Sequence, residues 1–435
     1  MQIQSSRSDA LGLAENTGIE IVRQDDGFVA WAGEYGGNNK PQGPLSGQRV
    51  GVIVASEFSD FQAYYLASYI GELGGICEFL LVDWVKWKYV RPNLEGKGVR
   101  GQWDLKVDPI PVVGGDKNAA WKSLIDARAA DYDVVIVIGG HSADVMVTEA
   151  PVHEFLRACA ENDAVIGAIG AGSMPLIRAG IMHGKRCTGD RTVDYMLKKI
   201  ANFEAGRVVT DAKLITARAT IDTPEFLRAL CRAVDPGFKD GWRGRLKGKK
   251  VLLPVSDDFE DIELIVPTME LLHRGAEIII GRFAGEFKSR PGLIGVDVLH
   301  GNFGTTIPFQ EIPDGEYVLK DLADVAMSEF DLALITGAFN PWNMVVTGVS
   351  DWLGEAISAG KLIASICHGP IALSAANLVE GKRLTGWEAS RDSVEIMGGV
   401  FNCGEWAAAI DGNIVTGRSP AEVPELVDAI SVALS

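Results

Sequence analysis

The chain has 435 residues, 47% hydrophobic and 23% charged, with a formal net charge of −17. This length predicts two or three domains rather than one. A surface this acidic repels a polyphosphate backbone, so nucleic acid is excluded as an expected partner.

At the start of the chain, MQIQSSRSDALGLAENTGIEIV lacks the basic-then-apolar pattern of a signal peptide. Nowhere do about 20 apolar residues follow one another, as a bilayer span requires. A cytoplasmic protein with no membrane partner is therefore expected. Residues 1–47 have no counterpart elsewhere in the chain, and their GEYGGNNKPQGPLSG stretch predicts an extended arm on a neighbouring surface. From residue 48 the chain alternates short apolar runs with amphipathic stretches. VGVIV, VVIVI and AVIGAI read as strands buried on both faces. FQAYYLASYIGELGG and the region 262–275 read as helices stopped by glycine.

After about 200 residues the pattern recurs. RVGVIVASEFSDF (49–61) matches KVLLPVSDDFEDI (250–262), and YDVVIVIGG (132–140) matches FDLALITGA (330–338). AVIGAIGAGSMPLIRAGIMHGKRCTG (164–189) matches KLIASICHGPIALSAANLVEGKRLTG (361–386), and DAKLITAR (211–218) matches DGNIVTGR (411–418). The order of elements is kept, so the chain is a tandem duplication, with domains expected over 48–235 and 248–435 and a polar linker over 236–247. Strand alternating with helix predicts an α/β fold of two doubly wound, mostly parallel sheets.

The six cysteines, Cys77, Cys159, Cys187, Cys231, Cys367 and Cys403, show no CxxC and no metal-ligand spacing, and the six histidines do not cluster. Free thiols in a reducing compartment are expected, with no metal and no cofactor. One cysteine has a distinctive setting. In ASICHGP, LIASI supplies a strand and PIALSAANLVEG a helix stopped at Gly381, so Cys367 falls on the turn between them. Such a turn lies at the carboxyl edge of the sheet, where ligands bind. A helix N-terminus there favours the thiolate, Gly369 permits close packing, and His368 is placed to exchange a proton.

SICHGP followed by LVEGKRLTG, DDFEDIEL after a first strand, and the closing DGNIVTGRSPAE resemble the ThiJ/PfpI superfamily, related to the class I glutamine amidotransferases. The resemblance covers 248–435 and implies a flavodoxin-like, glutamine amidotransferase-like domain. It implies Cys367 as nucleophile, His368 as its acid–base neighbour and Glu260 as the buried carboxyl beside the sulfur. Gly337 and Ala338 stand where the family's Gly-Gly turn supplies oxyanion donors, with alanine departing from the pattern. Arg418 matches a family arginine and is expected to be structural.

The first copy has Gly170 for the cysteine, Ala171 for the histidine and Ser59 for the glutamate, while keeping Gly139, Gly140 and Arg218. Its Ser173 is expected to be a helix-cap or turn hydroxyl rather than a substitute nucleophile. For the acid that orients His368, Glu388 and Asp392 are local candidates. By analogy with PfpI-type assemblies, Asp144, which follows the first copy's Gly-Gly turn at the place Trp342 takes in the second, is another.

The resulting expectation is a cofactor-independent cysteine enzyme acting on a small electrophilic carbonyl or C–N compound, with the two copies packed as a pseudo-dimer and the chain forming a homo-oligomer. Two alternatives are a specialised biosynthetic enzyme, for which the pocket-edge residues Trp342 and Trp387 speak, and a non-catalytic stress protein using Cys367 as an oxidation sensor.

Overall fold

A computed structural model of the chain describes residues 2–16, 18–33, 42–85, 99–103, 119–286 and 298–435. The chain divides into two compact units, one of residues 40–240 and one of residues 1–39 with 241–435. Among the described residues, no helix is long and apolar enough to cross a membrane.

The unit of residues 40–240 is built on a seven-stranded sheet. From edge to edge it runs Val208–Asp211, Leu214–Ala217, Val165–Ile169, Val134–Val137, Arg49–Val54, Ile76–Leu81 and Ala119–Ser123. Only the first pair is antiparallel. The central strands are apolar without alternation because helices cover both faces, among them Asp60–Glu72, Ala150–Glu161 and Thr223–Val234. The expected doubly wound α/β architecture is what the chain adopts.

The second unit repeats this plan and extends it. Its nine-stranded sheet runs Ile21–Arg23, Val29–Ala32, Trp406–Asp411, Ile414–Gly417, Leu362–Ile366, Leu332–Ile335, Lys250–Val255, Glu277–Arg282 and Val318–Asp321. The six strands from Ile414–Gly417 onward are parallel, as the repeat predicts. The first two come from the N-terminal segment, a hairpin whose second strand pairs antiparallel with Trp406–Asp411. Trp406–Asp411 is the counterpart of the open edge strand Val208–Asp211, and an added hairpin removes that unpaired edge. Phe28 and Trp31 are buried behind it, and the Arg383 guanidinium lies 4.1 Å from the Phe28 ring centre while pairing with Asp26 at 2.9 Å. The preceding helix, Gln2–Glu15, packs on the C-terminal helix Val423–Leu434.

Of the arm expected over GEYGGNNKPQGPLSG, residues 34–41 lie outside the described residues, and Leu45 beyond them is buried in the unit of residues 40–240. Within the stretch 236–247, read as a polar linker, Trp242 and Leu246 are buried. The Arg274 guanidinium sits 4.2 Å from the Trp242 ring centre.

Candidate active site

The strand Leu362–Ile366 lies between two parallel neighbours, so its carboxyl end opens at the sheet's ligand-binding edge. There the chain turns sharply. Cys367 adopts φ +58°, a left-handed conformation that costs an L-residue about 1–3 kcal/mol and persists only where neighbours enforce it. They do so here: the Cys367 amide donates to the Gly417 carbonyl at 3.1 Å, and its own carbonyl accepts from the Trp387 amide at 2.8 Å and Ser390 Oγ at 3.3 Å. A β-carbon on Gly369 would lie 2.7 Å from the Ser365 β-carbon and 2.9 Å from the Ile366 backbone, so the turn requires glycine there. The helix that follows is short, Pro370–Ala375, because Asn377 at φ +56° ends it well before Gly381.

Cys367 Sγ lies 3.3 Å from His368 Nδ1. The cysteine is 7% exposed, and burial is the main cause that raises its thiol pKa well above the ordinary value. The neighbouring carboxyls Glu263 and Glu260 raise it further, while a hydrogen bond from the His368 amide acts in the opposite direction. The thiolate expected from the helix terminus is therefore outweighed, since one short helix dipole is weaker than desolvation. Burial also lowers the His368 pKa, so the resting pair is a neutral thiol beside a neutral imidazole able to accept its proton.

The carboxyl at the sulfur is Glu263 rather than Glu260. Glu260 precedes the buried helix Asp261–His273 and turns back as its N-cap, accepting the Glu263 amide at 2.6 Å. One turn further in, Glu263 accepts the Gly337 amide at 2.6 Å, with its carboxyl beside the Cys367 sulfur. Its Oε1 is buried with no hydrogen-bond partner among the described residues. Ionising such a carboxyl is costly, and burial pushes its pKa up to about 7. Burial, with Glu263 and then Asp261 nearby, raises Glu260 as well.

The Gly337 hydrogen bond also revises the oxyanion expectation. With that amide committed to Glu263 and the His368 amide directed at the Cys367 sulfur, the donor left open at the turn is the amide of Ala338. The Ala338 amide makes no hydrogen bond among the described residues, and φ +52° holds this alanine in a left-handed conformation. Gly337 has a separate role, because a β-carbon on it would stand 2.7 Å from Glu263 Oε2 and 3.1 Å from Cys367 Sγ.

Around the imidazole the walls are aromatic. The Trp342 ring lies 5.0 Å from His368, Trp387 lies 6.5 Å from it, and Phe339 lies 5.5 Å from Trp342. Within this unit, no described carboxylate is hydrogen-bonded to His368. Glu388 is bound instead to Arg391 at 2.6 and 3.0 Å and to Cys403 Sγ, and the guanidinium holds it down at about 2. Arg418 is buried and structural, tying the Gly33 and Cys403 carbonyls to Glu422.

The first unit holds the same backbone without the chemistry. Gly170 takes the elbow at φ +55°, and a β-carbon there would meet Asp190 Oδ2 at 2.7 Å. Gln62 occupies the place of Glu263, accepting the Gly139 amide at 2.8 Å and donating to Thr220 Oγ1 at 2.9 Å. Ser59 makes no side-chain cap. Ser173 opens the helix Ser173–Arg178 rather than capping it, with its Oγ buried and making no hydrogen bond among the described residues. Asp144 is exposed on the short helix Ser142–Met146 of this unit.

Glu263 and Phe339 are what the sequence reading missed, whereas Trp342 and Trp387, read as pocket-edge residues, do lie near His368. The signal for Glu263 was available, because a polar side chain stands at the third position of the matching helix in both copies, as Gln62 and as Glu263.

Comparison with known proteins gives a consistent result. The profile of the DJ-1/PfpI family matches residues 48–233 and again 249–433. Protein DJ-1 homolog D of Arabidopsis thaliana is 27% identical over 319 residues, covering 70% of this chain and 78% of that one. A deglycase of Pyrococcus abyssi is 30% identical, and protein/nucleic acid deglycase 2 of Escherichia coli 26% identical, each aligned over 40% of this chain and 92% of its own length. Among solved structures, Drosophila melanogaster DJ-1beta is 24% identical, with a TM-score of 0.34 over 42% of this chain and 88% of that one.

Proposed function

Because this chain belongs to the DJ-1/PfpI family, with two copies of its domain in tandem, we propose that the second copy is a cysteine-nucleophile enzyme acting on a small electrophilic carbonyl or carbon–nitrogen compound. The observation that carries this reading is Cys367 Sγ, held on a strained elbow 3.3 Å from His368 Nδ1 with Glu263 against it. The relatives named deglycases support enzymatic activity in the family.

In the proposed sequence His368 takes the thiol proton as sulfur bonds to the electrophilic carbon. The electron pair of the C=O or C–N multiple bond moves onto the heteroatom, which receives a hydrogen bond from the Ala338 amide. The imidazolium returns its proton to that heteroatom or to a leaving group. With an amide, the C–N bond breaks as the amine takes that proton and leaves a thioester; with an isonitrile the adduct is a thioimidate. With a 2-oxoaldehyde the hemithioacetal C–H proton moves through the imidazole to the neighbouring carbonyl carbon and leaves a 2-hydroxy thioester. Water activated by the neutral imidazole then adds to the carbon bonded to sulfur, the C–S bond breaks and the sulfur takes back a proton. Glu263, protonated below about pH 7, adds no charge beside the developing thiolate. The first copy, with Gly170, Ala171 and Gln62 at these places, is assigned no turnover.

The test is a screen of methylglyoxal, small amides, peptides and isonitriles against the native chain and Cys367→Ala. Turnover by the native chain that disappears in the variant supports the assignment. Turnover that survives the substitution removes it.

A further inference from the structure

The duplication supplies an internal control for the rim of the site. Both copies carry the same elbow and turn, so residues that differ at matching places mark what the working copy needs. Phe339 directly follows Ala338, the Trp387 amide bonds the Cys367 carbonyl, and Trp342 lies against His368. At the three matching places the copy without the cysteine has His141, Asp190 and Asp144. The aromatic rings accompany the nucleophile, and polar or charged groups take their places where it is lost.

These rings are not core residues. Phe339 is 40% exposed and Trp387 39%, and Trp342 between them and His368 is half-buried. Open aromatic surface at a reactive centre is favourable only when a ligand covers it. A three-carbon aldehyde has neither the area nor the π-face to do so. A cationic ligand would be drawn by aromatic faces, but also by adjacent negative charge. The working copy has tryptophans at two places where the first has aspartates. Of its nearby carboxyls, Glu263 and Glu260 are buried and held toward the protonated form, and Glu388 beside Trp387 is ion-paired with Arg391.

Resting on the reading of Cys367 as nucleophile, we propose that the second unit takes an uncharged, flat aryl compound whose electrophilic carbon is bonded at or next to the ring, with Phe339, Trp342 and Trp387 holding that ring. The closeness of ring and reacting carbon follows from the contact of Trp342 with the His368 ring, 5.0 Å between centres, which sets the aromatic rim directly beside the reacting atoms.

The test compares alkylation of Cys367 in the full chain by three reagents: iodoacetamide, a phenyl reagent (benzyl iodide, whose reacting carbon is bonded to the ring), and benzyl iodide carrying a trimethylammonium group on the ring. Peptide mass mapping reads the site, and each rate is divided by the rate with N-acetylcysteine. The phenyl reagent is expected to react at least about tenfold faster than iodoacetamide after that correction. Phe339→His and Trp387→Asp, which install the first copy's residues, should each erase most of the preference, and Trp387→Phe should retain it. Equal rates for phenyl and plain reagents, or the fastest reaction with the cationic one, overturn the proposal.

A second measurement does not use the thiol. Benzamide and acetamide are titrated into Cys367→Ser, with tryptophan fluorescence as readout. Saturable binding of benzamide that is weakened by Trp387→Asp supports the aryl site, and no preference over acetamide refutes it. Aryl binding without any labelling of Cys367 would remove the nucleophile reading and leave this one standing.

Discussion

Replacing Glu263 by Gln keeps the shape of the side chain and the hydrogen bond it accepts from Gly337, and removes only its ability to ionise. The folded protein raises this carboxyl from an ordinary 4.5 to about 7 through burial. Between those values the folded chain holds a proton that the unfolded chain has released, so this group's contribution to stability falls as pH rises from 4.5 through about 7. At about 1.4 kcal/mol per pH unit the penalty approaches roughly 3 kcal/mol once both states are ionised. Glu263→Gln should therefore be close to neutral at pH 4.5 and stabilising by an amount of that order at pH 8.5. Gln62 shows that an amide is accommodated at this place in the first copy. The assay is differential scanning calorimetry of the full chain and the variant across this range, following whichever transition moves. A difference that does not grow with pH, or that grows in the opposite sense, would refute the reasoning. The same variant should also lose the step near pH 7 in the rate of Cys367 alkylation, because no charge then appears beside the sulfur.

Limiting iodoacetamide should label Cys367 before Cys403. Burial and then the Glu388 carboxylate keep the Cys403 proton in place, whereas Cys367 has an imidazole to accept its own. Cys159 and Cys231, pushed up by burial to about 12, and Cys187, to about 11, should stay unlabelled in the folded chain, as peptide mapping would show. Gly337→Ala should lower turnover at least about tenfold with Cys367 still present, since a displacement of about 1 Å at a reacting group costs far more than that. Ala338→Gly should raise the melting temperature, because relieving an alanine at φ +52° is worth roughly 1 kcal/mol, and a lower melting temperature would show that the turn is not strained.

The framework was legible because it is written in local pattern. Unalternating apolar runs become central strands, and the strand–Cys–His–Gly–Pro sequence becomes a left-handed elbow between strand and helix. What escaped the reading depends on direction and distance. Glu260 and Glu263 are three residues apart, and sequence does not say which carboxyl turns back to cap the helix and which reaches the sulfur. The N-terminal hairpin pairs with a strand more than 370 residues away, so no local signal announces it. The thiol's protonation was misjudged because helix position is visible in sequence while burial is not. Nothing in the local sequence marks Phe339, which only the fold brings to within 5.5 Å of Trp342.

The central claim is that one nucleophile, Cys367, serves the whole chain. It is tested most directly by trapping: incubate the native protein with an excess of an aryl activated ester, quench in acid, and read intact mass followed by peptide mapping. The account predicts one acyl group per chain, on the peptide containing Cys367, with none on the first copy's elbow peptide and none in Cys367→Ala. An acyl group on Ser173 or on another cysteine, with turnover retained in Cys367→Ala, would contradict it.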